Sequence, residues 1–438
     1  MKNRRSYDLV VFGAEPAGVA AAACAARAGA KVAYIETGHE PPVDGSASSV
    51  PNFVWRRLDL HEAGLNLETV SAHVSLLPEG RAVATFESDL TTQDALAKVD
   101  KADAGLWRDF RSELEHRYAA VEDVGADPLH MADGPRPHLM TDNQSTDTLV
   151  DLLEDYFDAD DVRAHLAAVA ALAFNLGGEE PGSALALAAS AAQGAWRVRD
   201  GAALYKALVG VAERVGAERL DEPVVGVEQT PGRGYRILFT GDEAASTRAL
   251  MASSTRLARA AGFNVDGAPS PLDVGDAAEA RIRLKLEETP APPTDAGGDA
   301  PVYYVAASPD EIRAARDAVL EGRTPDRPPL MFEIGDKEVR VRAPYCPRLL
   351  SSEEGPREWT GQDRQVLGAQ VLERLGEHLN GALKSVRATD VEVFGAADLE
   401  KEAALGGDAP TVAAPPPALD EIGVAAALAL RLVGEPPR

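Results

Sequence analysis

Three residues near the start of the chain have the types and spacing to hold a nucleotide. They are Gly13, Gly18 and Glu36, within YDLVVFGAEPAGVAAAACAARAGAKVAYIE (Tyr7 to Glu36). In a unit of strand, tight turn, helix and second strand, the first glycine makes the turn. A second lets the backbone approach a pyrophosphate, and a third lets the helix pack on the strand. An acid about twenty residues on holds a ribose hydroxyl. Gly13, Gly18 and Glu36 fill three of these roles, and Glu15 stands where the second glycine belongs. The pyrophosphate would sit on the helix N-terminus, where unpaired N–H groups and the helix dipole favour an anion. A carboxylate about 4 Å from a phosphate charge is repelled by roughly 4 kcal/mol at an effective dielectric near 20, about a thousandfold in affinity. The Glu15 side chain has two other options: to swing outward, or to cap its own helix and remove the need for a ligand.

These residues need a particular frame. The apolar run Leu9 to Phe12 reads as a buried strand, the alanine-rich stretch to about Ala28 as a helix, Gly29 as its break, and Val32 to Ile35 as a second strand. That order predicts a Rossmann-type β-α-β unit. Further along, Asp94 to Tyr118 and Thr146 to Leu176 read as helices, and Ala184 to Ala192 as a small-residue helix. From Trp196 the pattern alternates again. A helix is expected over Ala202 to Val215, with strands at Val224 to Glu228, Tyr235 to Thr240 and Arg248 to Ala252. Leu9–Phe12, Val32–Ile35 and Val224–Val227 are expected to be neighbouring strands of one sheet. A second set of strands is expected at Ala280 to Leu286, Val302 to Ala306, Leu330 to Ile334 and Glu338 to Ala343. Helices are expected at Pro309 to Leu320, Gln362 to Leu383 and near the C-terminus.

At 438 residues the chain has room for two domains, or one with an inserted lobe. Its formal net charge of −26 repels phosphate backbones and anionic membranes, so nucleic acid is not an expected partner. Only Cys24 and Cys346 are present, which leaves no disulfide framework and points to a reducing, cytoplasmic setting. No stretch reaches the eighteen or so apolar residues of a membrane span; the nearest, Ile422 to Val433, is short and carries Arg431.

Other residues read as structural. His61, His73, His116, His130, His138, His165 and His378 show no metal-ligand spacing, and no metal is inferred. Asp160 and Asp161 resemble a paired-carboxylate site but suit a helix start. Tyr303, Tyr304, Phe332 and Tyr345 read as sheet core, with an apolar substrate cavity as the alternative. Cys24 reads as a small hydrophobe on the first helix.

Taken in this order, the chain resembles the phytoene dehydrogenase-like branch of FAD-dependent oxidoreductases, relatives of the carotenoid desaturases and amine oxidases. The blocks that carry the resemblance are the N-terminal fingerprint, Leu58 to Glu68, Asp151 to Leu172 with the turn Pro181 to Ala184, and Ala195 to Glu228. The resemblance implies an α/β fold: a discontinuous Rossmann-like FAD-binding domain with an inserted α+β substrate domain. The expected FAD domain is 1–90, 193–260 and 384–438, and the expected substrate or cap domain is 91–192 and 261–383. The resemblance implies FAD contacts at Gly13, Ala14, Glu15, Ala17, Gly18 and Glu36, at Val224 and Val225 on the adenine side, and at Gly406 and Gly407 near the flavin ring. It names no catalytic residue, because dehydrogenation by flavin needs chiefly positioning and a dry pocket.

Three positions depart from the family pattern. Glu15 replaces the pyrophosphate glycine, Thr37 to Ser49 lacks the family's paired glycines and arginine, and Pro415 to Pro417 remove backbone donors beside the flavin ring. Together they weigh against tight FAD binding. The first functional reading is therefore an FAD-dependent oxidoreductase with a degraded flavin site, which transfers hydride from a small apolar or amine substrate to flavin. The second is a non-catalytic descendant that acts as a binding or assembly partner of an active paralogue or of a second copy. A third is a binder of another nucleotide or adenosine-like ligand at Glu36.

Overall fold

The computed structural model describes residues 5–35, 48–50, 52–65, 67–69, 72–125, 147–174, 177–180, 183–184, 187, 196–198, 201–230, 234–240, 243–252, 264–265, 277–291, 293, 301–306, 308–347, 349–379, 383, 391–394, 411–412, 429 and 433. Strand β1 (Arg5–Phe12), helix α1 (Pro16–Arg27) and strand β2 (Val32–Ile35) open the fold. Leu9 and Val11 pack on the α1 side of the sheet, while Val10 and Phe12 pack on the other with Ile237, Phe239 and Leu250. Cover on both faces is what makes β1 a continuous apolar run rather than an alternating one. α1 is buried on every side, and its alanines let it lie close to the sheet and to the helix Gly201–Arg214 at once. Gly29, at φ 95°, ends the segment in the left-handed region where glycine is favoured.

The first sheet has six strands, in the order Glu218–Leu220, β2, β1, Ala244–Ala252, Gly234–Phe239, Val224–Thr230. The first four are parallel and the last two are antiparallel. Val224–Val227 therefore shares the sheet with β1 and β2 but does not neighbour them. The place beside β2 goes to Glu218–Leu220, to which the helix Gly201–Arg214 returns the chain. Three strands joined by short links then follow, and the last of them docks on β1. That leaves Val224–Thr230 at the outer edge.

The second sheet has seven strands, in the order Val391–Phe394, Ala277–Lys285, Glu338–Pro347, Leu330–Gly335, Pro301–Val305, Ala72–Leu76, Ala82–Phe86. Ala72–Leu76 and Ala82–Phe86 belong here, so the chain has crossed to the second sheet before residue 90, the sequence-based limit. Helices Lys101–Gly125, Leu149–Tyr156, Asp160–Phe174 and Pro309–Leu320 bury one face of this sheet. Helix Gly361–Gly376 packs on the other, shorter than the expected Gln362 to Leu383. A three-stranded sheet of Ser48–Ser49, Trp196–Val198 and Leu67–Thr69 lies where the chain passes between the two parts in sequence.

Two stretches expected as single helices are broken by carboxylates. Asp100 accepts the N–H groups of Ala102 at 2.7 Å and Asp103 at 3.0 Å, starting a new helix after Asp89–Leu96. Asp103 in turn accepts the N–H groups of Asp158 at 3.0 Å and Ala159 at 2.9 Å, satisfying the turn that divides Leu149–Tyr156 from Asp160–Phe174. Tyr345 sits at φ 60° where the pairing of Ala277–Lys285 with Glu338–Pro347 slips by a residue. This bulge reverses the alternation: Val341, Ala343 and Cys346 face one core, while Tyr345 enters the other beneath the helices. A non-glycine residue held there costs on the order of 1–3 kcal/mol, offset by burial of the whole ring.

Candidate functional site

The expected nucleotide contacts that lie within the described residues gather mostly at the turn between β1 and α1. Gly13 has φ 128°, and its N–H donates to the Ile35 carbonyl at 3.1 Å. This bond ties the turn to the end of β2, in register with Phe12 opposite Ile35. Ala14, Ala17 and Gly18 are buried. Pro16 opens the helix where an N–H has no partner to lose. Glu36 follows Ile35 but lies outside the described residues, as do Gly406, Gly407 and Pro415 to Pro417. Val224 and Val225 stand on the far edge strand, Val224 opposite Phe239 and Val225 54 % exposed. Only Val224 reaches the core that includes Phe12, Ile35 and Leu220.

Glu15 is the N-cap residue of α1. It is half-buried, its backbone is extended at φ −67° and ψ 168°, and its carbonyl accepts the Val19 N–H at 3.0 Å. Its side chain makes no capping hydrogen bond, which removes the self-capping option. The conformation is one any L-residue adopts, so the backbone there is compatible with a side chain. Glu15 thus stands at the residue position that the glycine pattern keeps bare for a pyrophosphate. At this position the chain departs from the dinucleotide-binding pattern.

Several of the other singled-out residues have structural partners, while His130 and His138 lie outside the described residues. His165 is fully buried, with Nδ1 2.7 Å from Ser75 Oγ and Nε2 3.1 Å from Thr85 Oγ1. Burial, with a smaller contribution from His73, lowers its pKa to about 3, so the ring is neutral and pins the hairpin Ala72–Phe86 to the helix above it. His73 Nδ1 lies 2.8 Å from the Tyr304 hydroxyl. Asp160 pairs with Arg163 and Asp161 with Arg81, at the first turn of their helix. Tyr303 stacks on Phe332 with centroids 5.0 Å apart, and Tyr303, Tyr304, Phe332 and Tyr345 are all buried in sheet core. Cys24 is buried, its thiol raised to about 12 by burial. Among the described residues no three His, Cys, Asp or Glu side chains are placed to hold a metal ion. No helix among them is long and apolar enough to cross a membrane.

A charged lattice on the second sheet was not singled out by sequence. Arg281 lies opposite Arg342, and Arg283 opposite Arg340, an arrangement of like charges that costs stability on its own. Glu279 bonds Arg281 Nε and Arg342 Nε, each at 2.7 Å, and Glu338 pairs with Arg340. Burial would raise the Glu279 carboxyl, but Arg342 and Arg281 outweigh it and hold the pKa at about 2. The only sequence sign is the charge/apolar alternation of RIRLK and EVRVR. The lattice is a set of ion pairs on one face of the sheet.

No protein family model matches the chain, and no curated protein matches it in sequence. Solved structures do match its fold. A Rab GDI from Plasmodium falciparum superposes with a TM-score of 0.56 at 8 % identity, covering 99 % of each chain. A putrescine oxidase triple mutant gives 0.53 at 13 % identity, covering 98 % of this chain and 99 % of that one. Cyclohexylamine oxidase from Brevibacterium oxydans gives 0.53 at 14 %, covering 98 % of each. Identities this low speak for the fold alone: an α/β architecture of the Rossmann type found in FAD-binding oxidoreductases, shared with a GDI.

Proposed function

We propose that this chain descends from phytoene dehydrogenase-like FAD oxidoreductases, which transfer hydride from an apolar or amine substrate to flavin, and that its own flavin site is impaired. The observation that carries this reading is the turn from Gly13 to Gly18. The Gly13 conformation, its bond to Ile35 and the buried Gly18 keep the geometry of a dinucleotide unit, while Glu15 stands at the residue position of the pattern's second glycine. Oxidase neighbours with the same fold support the descent. The second reading is a non-catalytic protein of cytoplasmic setting that binds or assembles with an active paralogue or a second copy. Glu15 favours it, as does the occurrence of the same fold in a Rab GDI.

The absorbance spectrum of the purified chain tests the reading. Flavin bands well below one per chain are expected, with a slow gain on incubation with excess FAD. Full flavin bands would remove the impairment and leave the oxidoreductase reading alone. Complete indifference to FAD would leave the non-catalytic one.

A further inference from the structure

On the second sheet Ala280, Ile282 and Leu284 pack toward helix Gly361–Gly376, so Arg281, Arg283 and Lys285 stand on the opposite face. The register arranges the charges of that face in rows. In one row Arg283 lies beside Arg340, with Glu392 next to Arg283 and Glu333 next to Arg340, and Glu338 pairs with both arginines. Acids interleave with the cations there. In the next row Arg342 lies between Arg281 and Met331, so its register neighbours are a second cation and a buried thioether. The acid that serves it is Glu279, from the bulge beyond the row. Arg342 gives Nε at 2.7 Å and Nη2 at 2.5 Å to the same Glu279 oxygen, which uses one fork edge of the guanidinium. Glu279 does not engage the second edge, Nη1 with the other Nη2 hydrogen, and the Arg342 side chain is 39 % exposed. We propose that this second edge of Arg342, with Arg281 alongside, binds the carboxylate of a small organic acid. A planar carboxylate matches the fork through two parallel bonds, and the buried Met331 next to it lowers the local dielectric in which they form. Burial opposes the charge of Glu279, but Arg342 and Arg281 keep it ionised above about pH 2. Glu279 therefore repels a phosphate dianion more than it repels a single carboxylate. The site does not rest on the flavin descent and stands with either reading above.

Fluorine NMR of the full-length chain with para-fluorobenzoate reads the binding. The uncharged para-fluorobenzamide is the control and inorganic phosphate the competitor; both arms use wild type alone and so need no variant to fold. A chain of net charge −26 repels anions as a whole, so saturable binding of the benzoate reports a local site. Saturation in the millimolar range is expected for the benzoate, none for the benzamide, and little displacement by an equal concentration of phosphate. Three variants locate the site, with thermal melts to establish that each is folded. Arg342→Gln removes the fork, Arg342→Lys keeps the charge without the fork, and Lys285→Gln removes a more exposed cation from the same face. Both Arg342 variants should weaken binding at least about tenfold, and Lys285→Gln should stay within about twofold of wild type. No saturable binding by wild type overturns the proposal, as does equal binding of the benzamide. Equal losses in Arg342→Gln and Lys285→Gln would assign the effect to diffuse charge, and full binding by Arg342→Lys would remove the role of the fork; either result refutes it. Displacement by equimolar phosphate refutes the choice of a carboxylate. An affinity that falls as the protein is concentrated refutes a free acid as the occupant and gives the edge to a carboxylate of a second copy.

Discussion

The buried histidine of the second sheet predicts a specific pH dependence of stability. His165 titrates at about 3 in the folded chain against 6.5 in a free histidine, chiefly because burial disfavours its charged form. The unfolded chain therefore binds the proton first. Stability from the neutral ring is complete above pH 6.5 and is lost as pH falls toward 3. The difference of about 3.5 units, from 6.5 less about 3, corresponds to at most about 5 kcal/mol, or about 1.4 kcal/mol per pH unit through the window. The perturbation is His165→Asn, which removes the titrating ring and costs ~1–3 kcal/mol at pH 7 by leaving Ser75 or Thr85 short of a partner. Urea unfolding of wild type and variant at pH 7, 5.5 and 4.5 reads the effect. The advantage of the wild type over the variant should shrink by roughly 2–3 kcal/mol between pH 7 and 4.5. Glu279 does not confuse this range, because its contribution is lost only between 4.5 and about 2. An advantage that stays constant across the three pH values would refute the assignment of a buried, neutral His165.

Other outcomes follow from the packing. Glu279→Gln leaves Arg281 facing Arg342 without the acid that both bond; a loss of about 3 kcal/mol is expected in urea unfolding, and a loss under 1 kcal/mol would mean that the lattice is solvent-screened. Asp103→Ala removes the acceptor for two N–H groups at the break between helices and should cost ~1–3 kcal/mol, while Asp103→Asn, which keeps one acceptor, should cost less. The net charge of −26 repels itself at low ionic strength, so the melting temperature should climb as salt is raised from about 0.05 M to 1 M; a flat or falling curve would contradict this.

Elements with a local signal were legible from sequence. Helix Pro309–Leu320 was read to the residue because Ser308 accepts the Glu311 N–H, Pro309 opens the helix and Gly322 follows its end. The Gly13 turn was legible because only its glycine suits φ 128°. What failed was set by partners distant in sequence. Glu218–Leu220 is a three-residue strand with two exposed polar residues, and only the open edge of β2 makes it one. Val224–Val227 was expected to neighbour the strands Leu9–Phe12 and Val32–Ile35 because its sequence context resembles the family's strand that returns to the nucleotide domain. Its actual place depends on Ala244–Ala252 taking the free side of β1, which no local pattern records. The breaks at Asp100 and at residues 157–159 were hidden because apolar spacing continues across them while carboxylates redirect the backbone.

The architecture also sets a timetable for synthesis. β1 leaves the ribosome well before its partner Ala244–Ala252, which lies some 240 residues downstream, as the bond from Ser246 to Arg5 across 241 positions shows. At 5–20 residues per second the nascent chain waits on the order of tens of seconds before that edge of β1 closes. During this interval an apolar strand designed for burial on both faces has only α1 and β2 to shield it. The hairpin Ala72–Phe86 waits in the same way for Pro301–Val305. Both sheets are thus completed late, from the C-terminal half inward. Chains truncated before residue 244 lack the partner of β1 and are expected to aggregate more readily than the full chain.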